Sequence, residues 1–554
     1  MPKRTAAVAL VEALMANGVE YGFGVPGESY LAVLDALHDV SDSFTFINAR
    51  NEGGGAFMAE AYGKLTGKPG VLFVTRGPGI TNASIGIHTA MQDSSPMVVF
   101  VGQIASHMRG REAFQEIDYK AVFGTMAKWV VEIDHADRVP ELVSRAFKTA
   151  VSGRPGPVLV ALPEDMLIAK TDAVARPAAT PVKPHITKAD IDAVGAMLTE
   201  AKAPVLVAGG GGWNDNGKAA LKRFAEVHKL PVVVGFRNQD LLDNHHPSYA
   251  GDAGVGMPPR IRTLLGESDL ILAVGVRFGE MLTDAYTLFD PATFCQKLIH
   301  IHASEKELGK IFTPDLAVMS CPNAALNGLL ALEGNDSSVW ANRTVEAHAA
   351  WEKSIDAPAQ GGSGVDMAAV MAHLREVLPD DVIVTNGAGN FAIWPSRHLP
   401  FGENMRLLGP QAGAMGAGVP AAVMAKIVEP HRMALCFAGD GDFQMNGQEL
   451  ACCMERGQGP IVLVLNNGQY GTIRMHQERD YPARVSGTQI VNPDFAKLAE
   501  AYGMMGLRVA RTEDFAHAFA RAMDSPQGAV LDIVIDPNGL TPTATVESLR
   551  KVAK

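Results

Sequence analysis

The sequence predicts an α/β protein of three doubly wound parallel-sheet domains, and three observations carry that expectation. Short apolar, β-rich runs alternate with helical stretches along the whole chain, the pattern of parallel sheets covered on both faces. At 554 residues the chain has room for about three domains. Two stretches of small and polar residues divide it at suitable places, "KTDAVARPAATPVKPHITKAD" over 170–190 and "KSIDAPAQGGSGV" over 353–365.

The first segment, 1–168, opens on "MPKRTAAVALVEALMANGVE", which reads as an amphipathic helix with Glu12 in its middle rather than a basic-then-apolar leader. Its strands are "VEYGFGVP", "FTFINA", "VLFVTRGPG", "MVVFVGQ" and "VLVALP". The second segment, 185–350, has "PVLVAGG", "PVVVGF", "LILAVGVRFG" and "LIHIHA". The third, 362–540, has "DVIVTNGAGN", "MALCFAGDGD", "IVLVLNNGQYG" and "VLDIVID". The first and third segments share this architecture without a sequence repeat.

Composition excludes several function classes. Hydrophobic residues make up 47% and charged residues 19%, a balance that fits buried α/β cores and not disorder. A net charge of −12 argues against nucleic acid as a partner, because phosphate binding needs clustered Lys and Arg. No uninterrupted apolar run reaches membrane-spanning length. The five cysteines (Cys295, Cys321, Cys436, Cys452 and Cys453) show no metal-ligand spacing, and reduced thiols in a cytoplasmic protein are the expectation.

The chemistry concentrates in "CFAGDGDFQMNGQEL", from Cys436, where Asp440 and Asp442 flank Gly441 at a strand end. Carboxylates this close repel unless a cation offsets them. A second stretch, "LNNGQYG", ends another apolar strand at Asn466 and Asn467. The 24 residues from Asp442 to Leu465 suffice for a crossover helix and a returning strand. Gly439-Asp440-Gly441 and Asn466-Asn467 are therefore expected side by side at the carboxyl ends of two parallel strands, where ligands of such sheets gather. An Asp oxygen, an amide oxygen and a main-chain carbonyl are hard ligands suited to Mg²⁺ or Ca²⁺, and Mg²⁺ keeps positions for water or a diphosphate. Taken alone, both motifs are also ordinary tight turns.

The GDG motif, 24 residues and NN form the spacing of enzymes that bind thiamine diphosphate through a divalent metal. With "SGRPGPVLVALPEDM", "TRGPGITNASIGIHTAMQDSSPMVVFVGQ", "AFQEID", "GAMGAGVPAA" and "FQMNGQEL", nearly the whole chain resembles the acetolactate synthase group. The resemblance implies pyrimidine-binding, middle and diphosphate-binding domains in that order. It implies Mg²⁺ held by Asp440, Asn467 and the main-chain oxygen of Gln469, with Gly439, Gly441, Asn82, Asn390, Tyr470 and Gly471 at the coenzyme. Asp442 departs from the small residue usual after GDG and is expected to cap the helix that follows. Glu52, in "INARNEGGGAF", takes the position of the carboxylate that hydrogen-bonds N1′ of the aminopyrimidine and favours its imino tautomer. By itself it reads first as a helix-start glutamate, and only beside GDG and NN as the catalytic carboxylate. Met415 would wedge between the coenzyme rings, with the Gly413 carbonyl accepting from the 4′-amino group. The two halves of such a site come from different subunits, which implies a homodimer or homotetramer.

The resemblance further implies 2-keto-acid substrates, with Gly27, Phe114, Gln115, Lys128 and His476 at the substrate channel. The implied reaction decarboxylates one 2-keto acid and transfers the enamine to a second carbonyl acceptor. The alternative is a 2-keto-acid decarboxylase or related C–C lyase or hydrolase; a silent coenzyme-binding scaffold would have no need of Glu52. Two departures bear on specificity. His476 stands where biosynthetic members carry Trp, and Glu28 stands where the family prefers Gly or Ala, which would disfavour an anionic acceptor. In the middle segment "VAGGGGWN" and "GVRFGE" resemble nucleotide-contacting loops, with Gly210, Gly211 and Arg277 as candidates for holding FAD. Other strand ends there depart from the FAD pattern, and four glycines after a strand are also an ordinary turn.

Overall fold

The structure, a computed structural model, describes residues 3–176, 180–334 and 336–552; residues 177–179 of the first expected linker lie outside these. The chain divides into two compact units, one of Met1–Val182, Pro410–Pro430 and Gln444–Gln458, the other of Lys183–Gly409, His431–Phe443 and Gly459–Lys554.

The first unit opens with a two-residue antiparallel ladder, β1 (Arg4–Thr5) on β8 (Lys170–Thr171). Between them lie β2 (Tyr21–Gly24), β3 (Thr45–Asn48), β4 (Gly70–Val74), β5 (Met97–Gln103), β6 (Trp129–Glu132) and β7 (Pro157–Pro163). These six form one parallel sheet in the order β3-β2-β4-β5-β7-β6. β4, β5 and β7 are buried along their whole length, as their unbroken apolar sequences require. The helix Ala6–Ala16 starts where Thr5 accepts from the Val8 N–H, and it packs with Val139–Val151 on one sheet face. Glu52–Thr66 and Gly77–Asp93 pack on each other, and Gly418–Val428 lies on the first of them. Because it is covered by both, Glu52–Thr66 is buried from Gly53 to Gly63.

The second unit holds two more parallel sheets. The first joins β9 (Pro204–Ala208), β10 (Val232–Gly235), β11 (Tyr249–Ala253), β12 (Leu270–Val274), β13 (Lys297–His302) and β14 (Leu316–Met319) in the order β11-β10-β9-β12-β13-β14. The second joins β15 (Ile383–Asn386), β16 (Arg406–Leu408), β17 (Ala434–Gly439), β18 (Ile461–Asn466), β19 (Met505–Val509) and β20 (Ala529–Val534) in the order β16-β15-β17-β18-β20-β19. Three six-stranded parallel sheets are thus the architecture. No helix among the described residues is long and apolar enough to cross a membrane, and the five cysteines are free.

Near the chain end, Glu478 ties the helix Gly471–Asp480 to the helix Val546–Val552. Its buried carboxylate accepts from Arg550 (2.6 and 2.8 Å), Arg474 (2.9 Å) and the Ala483 N–H (2.9 Å). The Arg550 guanidinium, foremost among these, lowers its pKa to about 2. A carboxyl lowered in the fold adds stability that is complete above its unfolded value of ~4.3 and lost as pH falls toward the folded value. Acid between about pH 5 and pH 3 should therefore begin to free the C-terminal helix, measured by limited proteolysis. Glu478→Gln should abolish that pH dependence; an unchanged acid profile would show that the cluster does not hold the helix.

Candidate functional site

In the first unit the catalytic candidates gather at the carboxyl edge of the sheet. Glu52 follows β3 and is the first residue of its helix, with Asn51 as N-cap accepting from the Gly53 N–H (2.8 Å). Asn82, on the helix Gly77–Asp93, donates to Glu52 Oε2 (2.9 Å), so two expected site residues meet. Gly79 in the first turn of that helix lies so close that a Cβ there would be 3.4 Å from Glu52 Oε1. Gly27, after β2, packs on Thr75 and Tyr30. Gln115, after β5, accepts through its carbonyl from the Gly77 N–H (3.1 Å), and Phe114 beside it is 73% exposed.

Lys128 is not brought to this edge, which corrects the expectation for it. It precedes β6, at the amino end of the strand and on the opposite side of the sheet from β3. Its ammonium donates to the Thr149 and Ser152 carbonyls, closing the C-terminus of the helix Val139–Val151. Burial lowers its pKa to about 8.

The geometry also shows residues that the sequence reading passed over. Glu449, fully buried in the 3₁₀ turn Gly447–Leu450, accepts from the N–H groups of Arg50 (3.0 Å) and Asn51 (2.9 Å) and so fixes the approach to Glu52. Burial pushes its carboxyl up, and those two N–H groups oppose the shift. Gly54 has to be small here, because a Cβ would lie 2.4 Å from Glu449 Oε1. Gly54→Ala is accordingly expected to destabilise the protein by ~1–3 kcal/mol and to lower turnover, seen by thermal denaturation and steady-state assay. Parental stability and rate in that variant would show that the contact has no consequence. Asp93 fixes a second loop in the same way. Its carboxylate accepts from the Gln411 (3.0 Å) and Ala412 (3.2 Å) N–H groups, holding the segment that carries Gly413 and Met415. Gly413 lies at φ +66° in a turn closed on the Pro410 carbonyl, and Met415 is half-buried. Lone carboxylates in the apolar runs "GQELACCM" and "TAMQDSSP" were the available signals.

Arg76 is a third. It pairs with Glu28 (2.6 Å) and Glu164 (2.8 Å). Glu28, the residue expected to disfavour an anionic acceptor, is thus ion-paired.

In the second unit β17 and β18 are neighbours, with Gly439 paired to Leu465, so GDG and NN stand side by side as their spacing predicted. Asp440 is 3% exposed. Its Oδ1 accepts from the Gly441 N–H (2.9 Å), and its Oδ2 from the Gly468 N–H (2.7 Å) and Asn492 Nδ2 (2.7 Å). Burial pushes this carboxyl up, while Asn492 and the N–H groups oppose the shift. Asn467 Oδ1 accepts from the Gln469 N–H (3.2 Å), and Gln469 Nε2 donates to the Pro537 carbonyl. Tyr470 lays its ring against Gly441, and Gly471 begins the helix Gly471–Asp480. A buried carboxylate surrounded by neutral donors, next to an amide oxygen and a main-chain carbonyl, is an all-oxygen set that fits a hard divalent cation. The set holds one carboxylate with amide and main-chain oxygens, and among the described residues no three His, Cys, Asp or Glu side chains converge.

Asp442 does not stand before a helix. The helix Asp440–Asn446 has already begun, and Asp442 Oδ1 accepts from the Ala388 N–H (3.1 Å) after β15. The expected cap is thus a clasp between two strand ends. Asn390 donates to the Leu540 carbonyl (2.8 Å) and accepts from Thr472 Oγ1 (2.9 Å). His476 is exposed on its helix, with Nδ1 2.9 Å from Arg479 Nη2.

The glycine loop after β9 is closed on the protein itself. Gly209 N–H donates to the Val274 carbonyl and Gly210 N–H to Asn238 Oδ1 (each 3.1 Å). A Cβ at Gly210 would lie 2.2 Å from the Gly275 carbonyl oxygen, and Asn323 Nδ2 donates to the Gly212 carbonyl (2.7 Å). Asn214 caps the helix Asp215–His228 through the Gly217 N–H. Gly209, Gly210 and Gly212 are thus engaged by the protein's own backbone and side chains, as in an ordinary strand-to-helix turn.

Comparison with known proteins finds a family for the whole chain. Residues 4–122 match the thiamine pyrophosphate enzyme N-terminal TPP binding domain, 191–329 the central domain and 387–533 the C-terminal TPP binding domain. The acetolactate synthase large subunit of Parasynechococcus marenigrum is 33% identical, over 95% of this chain and 87% of that protein. The acetolactate synthase isozyme 2 large subunit of Escherichia coli is 31% identical over 95% of each. The large subunit from Lactococcus lactis is 33% identical over 90% of this chain and 87% of its own length. With its three domains and this extent of likeness, the chain belongs to the thiamine diphosphate-dependent enzymes of the acetolactate synthase family.

Proposed function

We propose that the protein is a carboligase of the acetolactate synthase type, taking CO₂ from one 2-keto acid and joining the remainder to a second carbonyl compound. The observation that carries this reading is the presence, in one chain of this family, of Glu52 bonded to Asn82 in the first unit and of the oxygen donor set at Asp440 and Asn467 in the second. Asp440, Asn467 and the Gln469 carbonyl would hold Mg²⁺, and through it a diphosphate. Glu52 would supply the carboxylate for proton transfer at the aminopyrimidine, its orientation fixed by Asn82 and by the loop that Glu449 holds. When bound, thiamine diphosphate would supply a nucleophilic carbon and an electron sink for the pair that the departing CO₂ leaves behind.

A second copy of the chain completes the proposed site in a homodimer or tetramer. Supporting this, apolar side chains stand exposed beside both candidate regions. Ile85 lies one turn from Asn82, and Val491, 99% exposed, adjoins Asn492. Free cysteines support a reducing, cytoplasmic location. Purified protein given thiamine diphosphate, Mg²⁺ and pyruvate should form acetolactate; acetaldehyde as sole product would favour a decarboxylase instead.

His476 bears on the acceptor. A histidine offers a smaller and more polar surface than a tryptophan, and one buried methylene is worth only ~0.8 kcal/mol. Little preference for 2-ketobutyrate over pyruvate is expected, and His476→Trp should raise it several-fold. Competition between the two acids, with both acetohydroxy acids quantified, measures this. A strong preference unchanged by the substitution would place His476 outside the channel.

A further inference from the structure

We propose that Arg76 recognises the carboxylate of the substrate and that Glu28 competes with the substrate for it. This rests on the reading of the protein as a 2-keto-acid enzyme and names the residue that would bind the acid.

The strand order puts β4 near the middle of the sheet, between β2 and β5. Arg76 lies two residues beyond Val74, the last residue of β4, and so emerges at the carboxyl edge where ligands of such sheets bind. The partners converge from neighbouring strand ends: Glu28 follows β2, Glu164 follows β7 and Phe114 lies beyond β5. Arg76 directly precedes the helix whose first-turn Gly79 lies against Glu52, so the cation and the candidate catalytic carboxylate share one wall.

The two ion pairs are unequal. The Arg76 side chain is 8% exposed and Glu164 meets its Nη1, whereas the Glu28 side chain that meets Nη2 is 77% exposed. An exposed glutamate gains little from such a pair and is easily displaced, while the buried guanidinium is held in place. A guanidinium presents parallel N–H groups to a carboxylate, so a 2-keto acid can take the position of the Glu28 carboxylate without rebuilding the site. Among the described residues Arg76 Nε is buried without a hydrogen-bond partner, so the two glutamates leave the guanidinium's donors incompletely used. The Phe114 ring, 5.9 Å from the guanidinium, offers an exposed apolar surface for the substrate's carbon chain.

The test uses the full-length protein loaded with thiamine diphosphate and Mg²⁺. Arg76→Gln should raise KM for pyruvate about tenfold or more with a much smaller change in kcat, and Arg76→Lys should fall between. Glu28→Gln should lower KM about two- to fivefold, and this gain should shrink in high salt. Calorimetric titration of pyruvate into Glu52→Gln, with and without each substitution, reads binding independently of turnover. A folded Arg76→Gln with unchanged KM would overturn the proposal, as would a Glu28→Gln variant whose KM rises, since that would show the pair only ties down the loop. If Arg76→Gln does not fold, Arg76→Lys and Glu28→Gln decide between the same outcomes. Full activity in Glu52→Gln would instead sink the underlying site reading.

Discussion

Glu52→Gln should fold and retain most of its affinity for thiamine diphosphate, yet turn over ~10²–10⁴-fold more slowly. The amide keeps the size of the side chain and an oxygen that can accept from Asn82, whose Nδ2 lies 2.9 Å from Glu52 Oε2. The backbone of residue 52 is fixed independently, by the Asn51 cap and by the Glu449 carboxylate on the two preceding N–H groups. What the variant lacks is the negative charge that favours proton transfer at the aminopyrimidine. Steady-state turnover, together with hydrogen–deuterium exchange at C2 of the bound coenzyme, separates loss of that step from loss of binding. Parental rates in both measurements would remove Glu52 from the mechanism.

Removing the Asp440 carboxylate is expected to cost at least about 100-fold in Mg²⁺-dependent coenzyme affinity, given that even outer partners of metal ligands are worth 10–100-fold. Asp440→Ala also strips the acceptor from Gly441, Gly468 and Asn492. Each buried donor left without a partner costs ~1–3 kcal/mol, so part of the effect would be structural. Asp440→Asn separates the two causes, since it keeps the shape and an acceptor oxygen but loses the charge. Equilibrium titration of thiamine diphosphate with and without Mg²⁺ should show a metal dependence in the parent that is largely gone in Asp440→Asn. If a folded Asp440→Asn binds as tightly as the parent with Mg²⁺ present, the metal assignment is wrong.

The legible part of the fold was its centre. Strands buried on both faces have to be continuously apolar, and β4, β5, β7, β9, β12, β17 and β18 are so written. Apart from the short β1–β8 ladder, the strands not anticipated are β6, β11, β14, β16 and β19, every one at the edge of a six-stranded sheet. An edge strand is covered less completely and pairs on one side only, so "WVVE", "LAVM" and "MGLRV" carry no strong period. Asp442 shows a different limit. Its position beside a helix start suggested a cap, but which N–H group lies within reach depends on where β15 ends.

For the candidate site, the sequence by itself determined the chemistry that local spacing can encode. Apolar strands ending in GDG and NN, separated by one crossover, have to place Asp440 beside Asn467, because consecutive parallel strands of this length become neighbours in one sheet. Tertiary structure alone decided the partners. Glu449 stands 399 residues from Arg50, Asp93 stands 318 from Gln411, and Arg76 takes its two glutamates from the ends of β2 and β7. Lys128, whose sequence context suggested a channel, was drawn by the same packing to the carbonyls at a helix end. A buried charge must find a partner wherever the fold brings one within about 3 Å, and no local pattern records which distant segment that is.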